Sequence, residues 1–257
     1  MDLLPPGLVG AFGLFLARTS ALVITSPLLG LLVGPSSVKV ALIGALSLVS
    51  FTVAGGPYAV PMEVVPYACM LLRELLIGLF LGFLLQIVML AVRVAGTMVG
   101  HEMGFAMAQQ ADPATGIRTG LVTRFYEQTF LFGLLALNGH HWIVRSLVDS
   151  FERAPVGELS LSRGLAPAIQ ELFAQMFEAG MTFAAPVMVL LSLVSVLIGL
   201  LSRAVPQINV LELGFGIRIS LALVSLMLFA PLLAPALEGL YGSFRASLDG
   251  ALDALRG

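Results

Sequence analysis

Charge is scarce in this sequence. Of 257 residues, 13 are Lys or Arg and 15 are Asp or Glu, 11% in all, against roughly 25% in an ordinary soluble domain. Too few charged groups are present to coat a water-soluble particle of this size, which excludes a cytosolic enzyme of the usual kind. Cysteine is nearly absent, and the single Cys69 cannot bridge within the chain, so a disulfide scaffold is excluded as well. The net charge of −2 offers no basic footprint for nucleic acid. Disorder fails from the opposite direction, because 58% of the residues are hydrophobic. Catalytic signatures are missing too. His101-Glu102 lacks the second His that completes a zinc-protease helix, and the adjacent His140-His141 point to different sides of a helix. There is no phosphate-cradling Gly-Lys loop, no Gly-x-Gly-x-x-Gly and no Gly-x-Ser-x-Gly. No enzyme activity, metal or cofactor is expected.

What the chain has is apolar runs on the scale of a membrane-crossing helix, about 20 residues each. Six stand out: 7–33, 38–54, 64–92, 121–137, 165–201 and 215–237. They predict an all-α, polytopic hydrophobic protein. The third run is overlong for a hydrocarbon core of about 30 Å, so it must tilt, kink at Pro66 or project past the lipid. Pro186 is expected to divide the fifth run, and Pro231 and Pro235 to break the sixth. The start, Met-Asp-Leu-Leu-Pro-Pro, lacks a basic leader, so the first run is expected to stay in the mature protein. Basic residues give no orientation: Lys39, Arg93, Arg118, Arg124 and Arg203 fall on one side, Arg145, Arg153, Arg163, Arg245 and Arg256 on the other. Without an internal repeat or low-complexity linker, residues 1–257 read as one helical domain. Within it, residues 239–257 form an amphipathic pattern, with Tyr241, Phe244, Leu248, Leu252 and Leu255 along one face, suited to lying on the membrane or bundle or to binding a partner.

Three features carry more specific information. Glycines recur every fourth residue at Gly78 and Gly82, at Gly96, Gly100 and Gly104, and at Gly30 and Gly34, a spacing that lets helix backbones approach closely, within the chain or between subunits. Arg18, Arg73 and Glu74 interrupt apolar runs at about 2.5–3.5 kcal/mol each, so they mark a buried ion pair, a solute path, or helices enclosed by other subunits. Arg124 and Glu127, three apart, are expected to pair with each other. The third is the tract Met103-Gly104-Phe105-Ala106-Met107-Ala108, which leads into Gln109-Gln110 and a turn at Asp112-Pro113. Its methionines are either adaptable core filler or a soft seal.

Taken in order, several stretches resemble the FliR family, the flagellar biosynthetic protein R of the bacterial type III export gate. They are Glu74-Leu-Leu-Ile-Gly-Leu-Phe-Leu-Gly82, Ala95-Gly-Thr-Met-Val-Gly-His-Glu-Met-Gly-Phe105, Asp112-Pro113 with Gly116, Asn138-Gly-His-His141, Ser150-Phe151 before Pro155-Val-Gly157, and Ser202-Arg-Ala-Val-Pro-Gln-Ile-Asn-Val210 with Gly214-Phe215. The resemblance implies long kinked helices and hairpins in a larger helical export gate, with one copy of this chain beside several P and Q subunits. The B subunit, the A ring and unfolded flagellar cargo are implied as further partners, and the inner membrane at the basal body as the location. It implies that Met103, Phe105, Met107, Gln109 and Gln110 belong to a pore-closing loop, and that Pro206, Gln207 and Asn209 form a hairpin turn. This chain departs from the family in having Met107, Gln109 and Gln110 where bulky aromatic groups are usual. The alternative from the residues alone is a small secondary transporter or ion channel lined by Arg18, Arg73 and Glu74, although paired halves with matching broken helices are absent.

Overall fold

The computed structural model describes residues 7–26, 29, 35–54, 63–104, 120–156, 165–204, 214, 216–225, 227, 238–239, 241–242, 245–246 and 249–250, and among them there is no strand. The helices are α1 (Leu8–Thr25), α2 (Ser36–Ala54), α3 (Val64–Glu102), α4 (Leu121–Ala136), α5 (Gly139–Arg153), α6 (Leu165–Ala204) and α7 (Gly216–Ser225). Four of them, α1, α2, α3 and α6, are long and apolar enough to cross a membrane. The fourth predicted run becomes α4, whose 16 residues fall short of that length.

The prolines act differently from expectation. Pro66 occupies the first turn of α3, where the missing N–H would have had no partner in any case, so it starts the helix rather than kinking it. Helix α3 continues for 39 residues, about 58 Å at 1.5 Å per residue, nearly twice the hydrocarbon core. Helix α6 runs for 40 residues and passes through Pro186 without a break. Helix α5 falls between the apolar runs, because its charges keep the segment too polar for a hydropathy pattern to mark it. Ile143, Leu147 and Phe151 recur every fourth residue and are buried, while Arg145 and Glu152 face outward. It begins at Asn138, whose φ of 55° makes it the one described non-glycine residue in the left-handed region, a conformation Asn tolerates better than most residues.

The described residues fall in two compact units. The first contains α1, α2, α3 as far as Val88 and α5. At its centre α1 buries a broad face, through Ala11, Leu14, Phe15, Ala17, Arg18, Thr19, Ala21, Leu22 and Val23. Phe15 stacks on Phe151 at 4.2 Å and meets Phe51 edge-on at 5.3 Å, joining α1 to α5 and α2. The second unit contains the rest of α3, α4, α6 beyond Phe173, and α7. There Met176, Gly180, Phe183, Val187, Leu191, Val194 and Ile198 form the buried stripe of α6 at steps of three and four. Tyr126 meets Phe183 edge-on at 5.2 Å, and Tyr241 donates to the Phe130 carbonyl at 2.7 Å.

Candidate functional site

Arg18 is the best-connected side chain among the described residues of the first unit. It is fully buried, as is Glu74, and the two form a short pair: Nε donates to Oε2 at 2.7 Å and Nη2 lies 2.6 Å from the same oxygen. The rest of the guanidinium is spent on the C-terminal end of α5. Nη1 donates to the Ser150 carbonyl at 2.8 Å and reaches Ser150 Oγ at 3.2 Å, while Nη2 donates to the Ala154 carbonyl at 2.9 Å. The Phe151 ring lies 4.1 Å below. A cation at the carbonyl-rich end of a helix is favourably placed, because the last turn leaves acceptors without helical partners. One side chain therefore ties together α1, α3 and α5.

Neighbouring residues on a helix point about 100° apart, so Glu74 reaches Arg18 while Arg73, next to it, stays partly exposed with Nε and Nη2 shielded. Since Arg18 and Glu74 are sealed from solvent and occupied by backbone and each other, they offer no lining for a solute path. The charge pair of the second unit also differs from expectation. Glu127 accepts from Arg93 Nε at 2.5 Å instead of pairing with Arg124, which is exposed.

The glycines divide by position. A Cβ on Gly78 would run into the Arg18 carbonyl oxygen and lie 2.7 Å from Ala21 Cβ, and one on Gly82 would lie 2.6 Å from Thr25 Cβ. Both therefore allow α3 to touch the backbone of α1, which is how Glu74, one turn earlier, reaches Arg18. Gly96 stands against Thr123 Cα, 2.5 Å from where its Cβ would be, whereas Gly100 meets Val122 at an ordinary 3.7 Å. Gly104 is not part of a helical seam at all. It lies past the end of α3 with φ 85° and donates its N–H to the His101 carbonyl at 3.0 Å, as a left-handed helix terminator does. Gly180 was not flagged in the sequence, since it has no glycine four residues away; its Cβ would lie 2.6 Å from the Ala91 carbonyl.

Met103 is 2% exposed and donates its N–H to the Val99 carbonyl, so the last residue before the Gly104 turn is fixed in the second unit's core. Phe105, Met107, Gln109 and Gln110 lie outside the described residues, as do Pro206, Gln207 and Asn209 and the pair Gly30 and Gly34. Residues 238–239, 241–242, 245–246 and 249–250 of the C-terminal stretch are helical. No group of three or more His, Cys, Asp or Glu side chains gathers as a metal would require among the described residues.

The arrangement is one of scaffold and turn, and comparison with known proteins says which scaffold. The profile of the bacterial export proteins, family 1, matches residues 9–244. The chain belongs to this family. Within it, the flagellar biosynthetic protein FliR of Escherichia coli (strain K12) is 31% identical over 228 residues, covering 88% of this chain and 86% of that protein. FliR of Bacillus subtilis (strain 168) is 30% identical over 230 residues, with 88% and 86% covered. The surface presentation of antigens protein SpaR of Salmonella typhimurium is 26% identical over 230 residues, with 88% and 85% covered. The match to the export proteins takes in the Arg18 cluster, the glycine contacts of α3 and the Met103-Gly104 terminus.

Proposed function

We propose that this FliR-family chain is a structural and gating subunit of the flagellar type III protein export channel, set in the bacterial inner membrane at the flagellar basal body. The observation that carries the reading is the match to bacterial export proteins over residues 9–244, with relatives named for flagellar biosynthesis covered over more than four-fifths of their length. Its partners in this reading are the P and Q subunits, with the B subunit and the A ring adjoining, and its cargo is unfolded flagellar protein. No residue set for catalysis is assigned.

In the same reading, Met103, Phe105, Met107, Gln109 and Gln110 close the pore. Two features support this. Gly104 ends α3 in a left-handed conformation directly after Met103, which is anchored in the core at the edge of the tract. Arg93, Thr97 and His101, four residues apart, form an exposed polar stripe along the end of α3 that leads to the tract. Such a stripe belongs beside water or polar partners, not acyl chains.

Coexpression of the tagged chain with P and Q subunits tests the assembly role: recovery of a joint complex is expected, and recovery of this chain only as a monomer would end the proposal. Replacing Met103, Phe105 and Met107 with Ala is expected to make cells overproducing the complex leak ions. Unchanged permeability with normal assembly would remove these residues from closure while leaving the assembly role standing.

A further inference from the structure

The first unit also holds a polar cavity of about 270 Å³ that the Arg18 cluster does not use. Trp142, Arg145, Asp149 and Arg153 reach it from the outward face of α5, and Arg245 and Asp249 from the C-terminal stretch. Arg245 and Asp249 lie past residue 244, where the match to the export proteins ends.

The charges around this cavity are unevenly engaged. Arg153 is committed, with Nη1 donating to the Asp249 carbonyl at 2.9 Å and Nη2 to Asp249 Oδ1 at 3.2 Å. Arg145, Asp149 and Arg245 make no ion pair among the described residues, and Arg245 lies 5.9 Å from the centre of the Trp142 ring. Two uncommitted guanidinium groups and one uncommitted carboxylate thus line the same space in a protein with little charge to spare. Guanidinium pairs suit the oxygens of a phosphate. Asp149 opposes a free dianion but suits an ammonium group. A ligand with a singly charged phosphodiester and a nearby ammonium satisfies all three groups. Tryptophan at the rim fits the depth of phospholipid headgroups, where its amphipathic ring is favoured.

We propose that this cavity binds the phosphoethanolamine headgroup of a membrane phospholipid, with the phosphodiester on Arg145 and Arg245 and the ammonium on Asp149. The site pins one lipid to the polar face of α5.

Trp142 is the sole tryptophan of the chain, so its fluorescence reports occupancy directly. The full chain, in a maltoside detergent and phosphate-free buffer, is titrated with dihexanoyl phosphatidylethanolamine, dihexanoyl phosphatidylglycerol, dihexanoylglycerol and inorganic phosphate. Saturable binding of the phosphatidylethanolamine is expected, with weaker binding of the phosphatidylglycerol. Arg145→Gln with Arg245→Gln is expected to weaken binding about tenfold or more, the size of one charge-assisted hydrogen bond or greater. Asp149→Asn should erase the preference for the ethanolamine lipid. Should the double variant lose its helical circular dichroism, Arg145→Gln alone, at an exposed side chain, decides the matter. An equal response to dihexanoylglycerol, inorganic phosphate binding as tightly as the lipid, or ethanolamine binding untouched by the substitutions overturns the assignment. So does tighter binding of an acidic peptide titrated in the same way.

Discussion

Replacing Arg18 with Met keeps the aliphatic stem and removes the cation. Glu74 then remains at 0% exposure and loses the Arg18 guanidinium, at a cost of about 3–5 kcal/mol for a broken buried pair. Glu74→Leu strands the guanidinium and costs about the same. If the two sites were independent, the double variant would lose about 6–10 kcal/mol. The geometry says otherwise. With both charges gone, Ser150 Oγ still donates to the Leu147 carbonyl at 2.6 Å and the Ser150 carbonyl still accepts from Ala154 N–H at 2.9 Å. Only the Ala154 carbonyl loses the partner described for it, a deficit of about 1–3 kcal/mol. The double variant is therefore expected to be more stable than either single variant. Thermal unfolding of the full chain in detergent, followed by circular dichroism, measures this; each kcal/mol corresponds to about 2–4 °C at this chain length. Single variants should melt roughly 6–20 °C below the parent, with the double between them and the parent. Recovery of the complex with P and Q subunits should follow the same order. A double variant melting at or below the sum of the singles would refute the claim that these charges stabilise the unit by satisfying one another.

Gly78→Ala and Gly96→Ala should each destabilise by about 1–3 kcal/mol because their new Cβ atoms meet backbone. Gly199→Ala, with nothing within 4 Å, should be neutral or stabilise by up to about 1 kcal/mol; equal effects at all three positions in thermal unfolding would contradict the packing geometry. Tyr241→Phe leaves the Phe130 carbonyl without the phenol's 2.7 Å hydrogen bond and should cost about 1–2 kcal/mol in the same assay. Burial pushes the Tyr241 phenol above its usual pKa, so this loss should not vary between pH 6 and 9. Arg93→Ala removes an ion pair whose Arg side chain is 44% exposed, and should cost under about 1 kcal/mol, shrinking further in high salt.

Helix content and the isolated charges were legible in the sequence, because apolar run length and the cost of a charge within it are local properties. The partners were not. Arg18 and Glu74 are 56 residues apart, and two of the other acceptors on Arg18 are backbone carbonyls, which have no residue-type signature. Helix α5 was hidden by its charges, although Ile143, Leu147 and Phe151 have the spacing of an amphipathic helix. Arg124 and Glu127 share a helix face, but Arg93, on α3, takes the carboxylate instead. Proline misled twice in the same direction: Pro66 is harmless in a first turn, and Pro186 interrupts too little of a 40-residue helix to end it. Glycine periodicity found Gly78, Gly82 and Gly96 but could not separate them from Gly104, whose role depends on φ rather than spacing.

Helix α2 shows what kind of surroundings the first unit is built for. Its fully buried residues are Ser47 and Ser50, while Val40, Leu48 and Val53 are 69%, 56% and 62% exposed. In water this would be the wrong way round, since each exposed Val or Leu forgoes about 1.5–3 kcal/mol of burial. Among acyl chains or apolar sibling subunits that term vanishes, and what remains is how closely helices can approach. Serine is then a good inward residue: it is small, and Ser47 returns its hydroxyl to the Ile43 carbonyl at 2.7 Å, although the Ser50 hydroxyl is buried without a partner among the described residues. Gly78 and Gly82 apply the same logic between α3 and α1. Where apolar burial does not distinguish inside from outside, contact distance and polar pairing must do so, and for that reason a fully buried Arg–Glu pair sits in the core of the first unit.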